Sequence, residues 1–159
     1  MRRVTSLLLF FAACACAQVH AQPAPEAPGV RTDRAPVRAQ RFMAVTANPH
    51  ATDAAHAILA RGGSAVDAAV AAQLVLGLVE PQSSGIGGGA FMLVHDARRS
   101  RLIAYDGRET APAAATPDRF RKPDGAPMAF RDAVATGLAV GVPGAMRMLE
   151  LAHRRHGRL

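Results

Sequence analysis

The residues best equipped for chemistry stand together in the stretch YDGRETAP, Tyr105 to Pro112. The run Leu102-Ile103-Ala104-Tyr105 before it reads as a strand, and Gly107 is expected to break that strand so that Arg108 and Glu109 project at its end. A guanidinium there offers two parallel donors, which grip a carboxylate with fixed orientation as well as charge. From the residues alone the same arginine reads first as a surface residue, or as the partner of Asp106 or Glu109. Thr110 carries a hydroxyl but has no base beside it in the sequence, and reads as a turn residue before Ala111-Pro112.

Other chemistry-bearing types read structurally. His50 and His56 are six residues apart, off the three- or four-residue spacing that brings helix side chains together, and no ligand cluster joins them. Asp67 closes the S-x-x-D pattern of a capping box with Ser64. His153 and His156 lie among Arg154, Arg155 and Arg158, as cations that favour a helix C-terminus. The spacing Gly85, Gly87 and Ala90 fits the dinucleotide pattern G-x-G-x-x-G/A, but it follows a helical stretch and leads into a strand, the reverse of the order that cradles a pyrophosphate. These glycines are expected at a tight turn where helix and strand backbones pass closely.

The elements that position these residues are legible from spacing. Residues 42–46 form a short strand candidate, and Asn48-Pro49 then supplies an N-cap and a first-turn proline for a helix that Gly62-Gly63 stops. From Ala68 to Val79 the chain is apolar all round, broken only by Gln73 and Gly77, which predicts a helix buried between layers and ended by Pro81. Residues 90–95 and 102–105 are two strands joined by a short polar turn, an antiparallel hairpin with one face on the apolar helix. Residues 113–136 are Pro-rich and irregular, with a turn at Pro123-Asp124-Gly125. Gly141-Val142-Pro143-Gly144 introduces a last helix over 145–156, with Met146, Leu149 and Ala152 on one face and Gly157 at its stop.

Composition separates the ends of the 159-residue chain from its middle. Residues 1–21 pair Arg2-Arg3 with a short apolar run and small-residue cleavage sites, the pattern of a signal peptide for export to the periplasm or beyond. Cys14 and Cys16 both fall inside it, and lipid attachment at Cys14 is the competing reading, opposed by Phe11 three places earlier. Residues 22–41 read as a Pro/Ala/Arg-rich tether. The body, 42–159, keeps 13 of the 19 cations and ten of the 12 acids, an excess of three that is too mild for nucleic acid and shows no basic stripe. No later segment reaches the roughly 20 apolar residues of a transmembrane helix.

Three stretches in order, ILARGGSAVDAAVAAQLVLGLVEPQSSGIGGGAFMLVHD, YDGRETAP and GVPGAMRMLELAHRRHG, resemble the N-terminal part of the large subunit of γ-glutamyltransferase. The resemblance covers about 42–159 and implies an N-terminal-nucleophile hydrolase fold, an αββα sandwich of the α+β class, of which this chain supplies early helices and a hairpin. It implies no cofactor. In that family a precursor cuts itself before a threonine, whose freed amino group activates its own hydroxyl to attack a γ-glutamyl amide, and water or an acceptor amino acid or peptide resolves the acyl-enzyme. Glutathione and other γ-glutamyl compounds are the substrates so implied, and a small subunit from the same precursor is the partner. By resemblance, Arg108 matches the arginine that grips the α-carboxylate of the γ-glutamyl group, and Glu109 an acidic neighbour that orients it.

The nucleophilic threonine of the resemblance would lie beyond Leu159, since none of Thr46, Thr52, Thr110, Thr116 or Thr136 sits in the family's processing motif. The chain therefore reads as a fragment, inactive alone and poor at folding because a buried helix lacks its second covering layer. Two alternatives stay open: a glutaryl-type β-lactam acylase of the same architecture, and a non-catalytic exported binding module or remnant.

Overall fold

The computed structural model describes residues 35–159. The expected signal peptide and most of the tether fall outside the described residues; Ala35 to Arg38, the described end of a first unit spanning Met1–Arg38, are exposed and without regular structure. The second unit, Ala39–Leu159, carries every described element.

Helix α1, Pro49–Ala60, begins where the Asn48 side chain accepts from the His50 N–H and proline occupies the first turn, which needs no donor there. It ends at Arg61, and Gly62 takes φ +90°, a left-handed conformation open to glycine. Helix α2, Ala65–Val79, starts at a complete capping box: the Asp67 N–H donates to Ser64 Oγ at 3.1 Å, and the Ser64 N–H to Asp67 Oδ2 at 2.7 Å. Small side chains, Ala55 against Ala68 and Ala72, let α1 and α2 approach closely, with Ala44, Ile58 and Leu59 closing the seam. Asn48 Nδ2 also donates to Glu80 Oε1 at 2.9 Å, tying the start of α1 to the end of α2.

Strands β1, Ala90–Asp96, and β2, Arg101–Gly107, pair antiparallel from Ala90 opposite Gly107 to Asp96 opposite Arg101. Alternation along the strands sends Met92, Val94, Ile103 and Tyr105 inward and Phe91, Leu93 and Leu102 outward. Beyond a short helix α3, Phe130–Val134, and a 3₁₀ turn, Gly137–Ala139, comes α4, Ala145–His156. Its inward residues Ala145, Met148, Leu149 and Ala152 recur at three- and four-residue steps, as a helix face must. The main core joins α4 to Tyr105 of β2 and to Val66 of α2, with Val70, Ala90 and Ile103 packed around them.

Five expectations are corrected here. Residues 42–46 are extended and alternate in exposure, but they have no strand partner among the described residues and so form no sheet. The apolar helix α2 is not buried all round: Leu74 is 49% and Leu78 80% exposed, because the hairpin's inner face packs chiefly on α4 and reaches α2 only near its first turns. Gly107 does not break β2 but is its last paired residue. Met146, 41% exposed, gives its inward place to Met148, as the 3.6-residue period dictates. The irregular segment 113–136 also holds α3, which has no side-chain cap and no buried residue, hence no amphipathic signal to read.

Candidate functional site

Arg108 leaves the end of β2, its N–H donating to Asp106 Oδ1 at 2.9 Å. Its side chain is 70% exposed, and its Nε lies 3.5 Å from Glu109 Oε2. An ion pair so open to water holds little energy and leaves the guanidinium's donors free to meet a ligand.

Glu109 turns inward. A Cβ on Gly89 would collide with its carboxylate and one on Gly141 would fall 2.9 Å from the Glu109 Cβ, whereas a Cβ on Gly88 would make only ordinary van der Waals contact with Oε1. The glycine loop thus serves the carboxylate of Glu109. This corrects the expected reason for the glycines, since side chains at Gly85 and Gly87 would meet open space, and crowding between helix and strand does not require glycine at either.

Two further ties hold the loops together. Thr110 and Val142 exchange backbone hydrogen bonds, at 3.3 and 2.9 Å, so Thr110 is a bridge residue here. The N–H groups of Gly144 and Ala145 both donate to Gly88 O, at 3.2 and 3.1 Å, and a Cβ on Gly144 would strike the Gly107 backbone. Three stretches far apart in sequence, 85–89, 107–110 and 141–145, therefore converge on Arg108 and Glu109.

Beside them opens a cavity of about 530 Å³, walled by Arg108, Glu109, Pro112, Arg119, Phe120 and Gly141 among others. Arg119 is fixed by its Nε, which donates to Leu138 O at 2.6 Å. The chemistry this allows is recognition of a carboxylate at the cavity's edge by an exposed guanidinium.

The sequence model of the family described as Gamma-glutamyltranspeptidase matches residues 51–159. The chain belongs to the γ-glutamyltranspeptidase family. It is 46% identical over 115 residues to the glutathione hydrolase proenzyme of Bacillus subtilis (strain 168), covering 72% of this chain and 20% of that protein. Against the glutathione hydrolase proenzyme of Escherichia coli (strain K12) it is 37% identical over 158 residues, covering 99% of this chain and 27% of that one. Among solved structures it resembles Helicobacter pylori γ-glutamyltranspeptidase, with a TM-score of 0.73 and 33% identity over 78% of this chain and 35% of the other. The transpeptidase CapD of Bacillus anthracis follows at a TM-score of 0.58 and 32% identity, over 76% of this chain and 35% of that one. The chain thus spans about a fifth to a quarter of the curated relatives' length, and its fold is part of the α+β, N-terminal-nucleophile hydrolase type.

The remaining sequence candidates lie elsewhere; His50 is exposed, and the others are engaged. His156 Nε2 is 2.7 Å from the Tyr105 hydroxyl, and the His56 ring packs on Phe42 at 5.1 Å. Asp67, only 5% exposed, does more than cap: its Oδ2 also accepts from the Arg158 N–H at 2.9 Å, tying the start of α2 to the chain beyond α4. Burial alone would raise its carboxyl, but the N–H groups of Ser64 and Arg158, the Ser64 hydroxyl and the His153 ring together hold it below the ordinary value. His153 Nε2 is 3.0 Å from Asp67 Oδ1 yet out of hydrogen-bonding direction, so that contact is electrostatic.

Sequence reading missed the glycine bed of Glu109 and the cavity wall from residues 115–120 and 138–141. The run of three glycines, 87–89, was the visible signal, but its partner carboxylate lies twenty residues on and nothing local names it.

Proposed function

We propose that this chain contributes the carboxylate-gripping part of an exported γ-glutamyltransferase or glutathione hydrolase. Arg108 binds the α-carboxylate of the γ-glutamyl group through its fork, and Glu109 acts as a positioning residue that steers the guanidinium. The observation that carries this is the convergence of three loops on the Arg108–Glu109 pair at the mouth of a cavity. The glycine bed fixes the Glu109 backbone and side chain, and the fork inherits that order.

Holding one end of the substrate fixes where its γ-amide lies, which converts binding into orientation at the reacting carbonyl. The nucleophile is a threonine at the start of a second chain cut from the same precursor. Its α-amino group takes the hydroxyl proton as the oxygen attacks the carbonyl, the amine leaves with a proton, and water or an acceptor amine then releases the acyl group. Residues 1–21 direct export, in keeping with this reading, and no helix among the described residues is long and apolar enough to cross a membrane.

The test has two parts. The purified 159-residue chain should show no glutathione hydrolysis, and measurable turnover would refute the need for a second chain. In the processed enzyme, Arg108→Lys should lower kcat/KM for γ-glutamyl substrates about 10- to 150-fold, the loss of one charge-assisted hydrogen bond. An unchanged kcat/KM would remove Arg108 from the site.

A further inference from the structure

At the other end of the hairpin from Arg108, a second cavity of about 540 Å³ opens between the β1–β2 turn and the end of α4. Its wall holds His95, Arg98 and Arg99 from the hairpin, and Arg155, His156 and Arg158 from the end of α4 and just beyond. The sequence shows no basic stripe because two groups some sixty residues apart supply these charges. Four arginines against the single acid Asp96 make a local excess of three, equal to the whole excess of residues 42–159.

Cations of the neighbourhood divide into paired and unpaired ones, and the cavity wall holds three of the unpaired. Arg147 and Arg154 turn to Glu150, at 3.6 and 2.6 Å, and Arg99 to Asp96 at 3.3 Å. Among the described residues, the guanidinium groups of Arg98, Arg155 and Arg158 have no acidic partner, although the Arg158 N–H donates to Asp67 Oδ2 at 2.9 Å. The turn is ordered all the same: Asp96 Oδ1 accepts from the N–H groups of Arg98 and Arg99, at 3.1 and 3.3 Å. The Arg155 guanidinium sits 5.9 Å above the Tyr105 ring, and Tyr105 is itself pinned by His156 at 2.7 Å.

Charges lining a hollow of this size stand within about one Debye length, roughly 10 Å at 0.1 M salt, so their fields add before salt screens them. An anion placed there relieves that repulsion, and several guanidinium forks suit the tetrahedral oxygens of a phosphate group. We propose that this basic cavity is a binding site for a multivalent phosphate anion, either a free one or a phospholipid headgroup. The site goes beyond the γ-glutamyl reading and does not depend on it.

The test is calorimetric titration of the protein purified as the product of its native locus, with pyrophosphate at low and at physiological salt. One saturable site per chain is expected, weakening with salt. An Arg98→Gln/Arg155→Gln variant should lose at least about tenfold in affinity, while Arg61→Gln/Arg131→Gln, with the same change in net charge outside the cavity, should stay within about threefold. Circular dichroism of the unaltered protein and of each variant checks that the fold is kept. Co-sedimentation with phosphatidic acid vesicles, whose phosphomonoester headgroup can carry two charges, that pyrophosphate displaces would assign a headgroup, and pyrophosphate binding without co-sedimentation would assign a free anion. Absence of saturable binding by the unaltered chain, or an equal loss in the control variant, would overturn the site.

Discussion

The two faces of the β1–β2 hairpin have opposite fates. Inward, Tyr105 is 5% exposed and packs with Met148, Leu149 and Ala152 of α4, which is one finished layer of helix on sheet. Outward, Phe91, Leu93 and Leu102 are 67%, 68% and 66% exposed, though they are as apolar as their inward neighbours. Identical strand chemistry thus has a cover on one side and none on the other. In an αββα sandwich the face turned away from the helices is the one a second sheet covers, so the outward face is apolar for a layer that these residues do not provide. The Arg108 end of the hairpin belongs to the finished side, since Gly144 and Ala145, at the start of α4, fasten the glycine loop that beds Glu109.

That contrast can be broken by substitution, beginning where the packing is complete. Leu149→Ala, at a position 4% exposed, should cost about 2–5 kcal/mol in urea denaturation, through lost burial and the cavity left behind. Asp67→Ala removes a capping box and the tie to the Arg158 N–H, and should cost about 2–3 kcal/mol. Because the Asp67 carboxyl is held below its ordinary value when folded, its contribution should be complete above about pH 4 and fall away as pH drops through the lower folded value. Thermal melts from pH 7 to pH 2 would show that loss in the unaltered chain and a flatter acid limb in Asp67→Asn. On the open side, Leu93→Thr should change stability by less than about 1 kcal/mol and reduce self-association measured by analytical ultracentrifugation. A large stability loss there would mean that the outward face is already covered.

What could be read from the sequence was whatever a local rule governs. Asn48-Pro49, the Ser64 and Asp67 capping box and the alternating hairpin each carry their own signal within a few residues, and each stands where its spacing put it. The strand expected at 42–46 failed because a strand is defined by its neighbour, and alternation alone names none. The placement of Met148 rather than Met146 needed only a stricter helical period. The site was half legible: Arg108 and Glu109 stood out by type and position. The bed of Gly88, Gly89 and Gly141, and the basic cavity, depend on residues brought together from tens of positions apart.

The central claim is that these residues are one part of a self-processed γ-glutamyl enzyme, and the most direct measurement is made on the product of the native locus. Mass spectrometry with N-terminal sequencing of that product, purified from its source cells, should find two associated chains, one of them beginning with threonine. A single chain ending at Leu159 would contradict the claim.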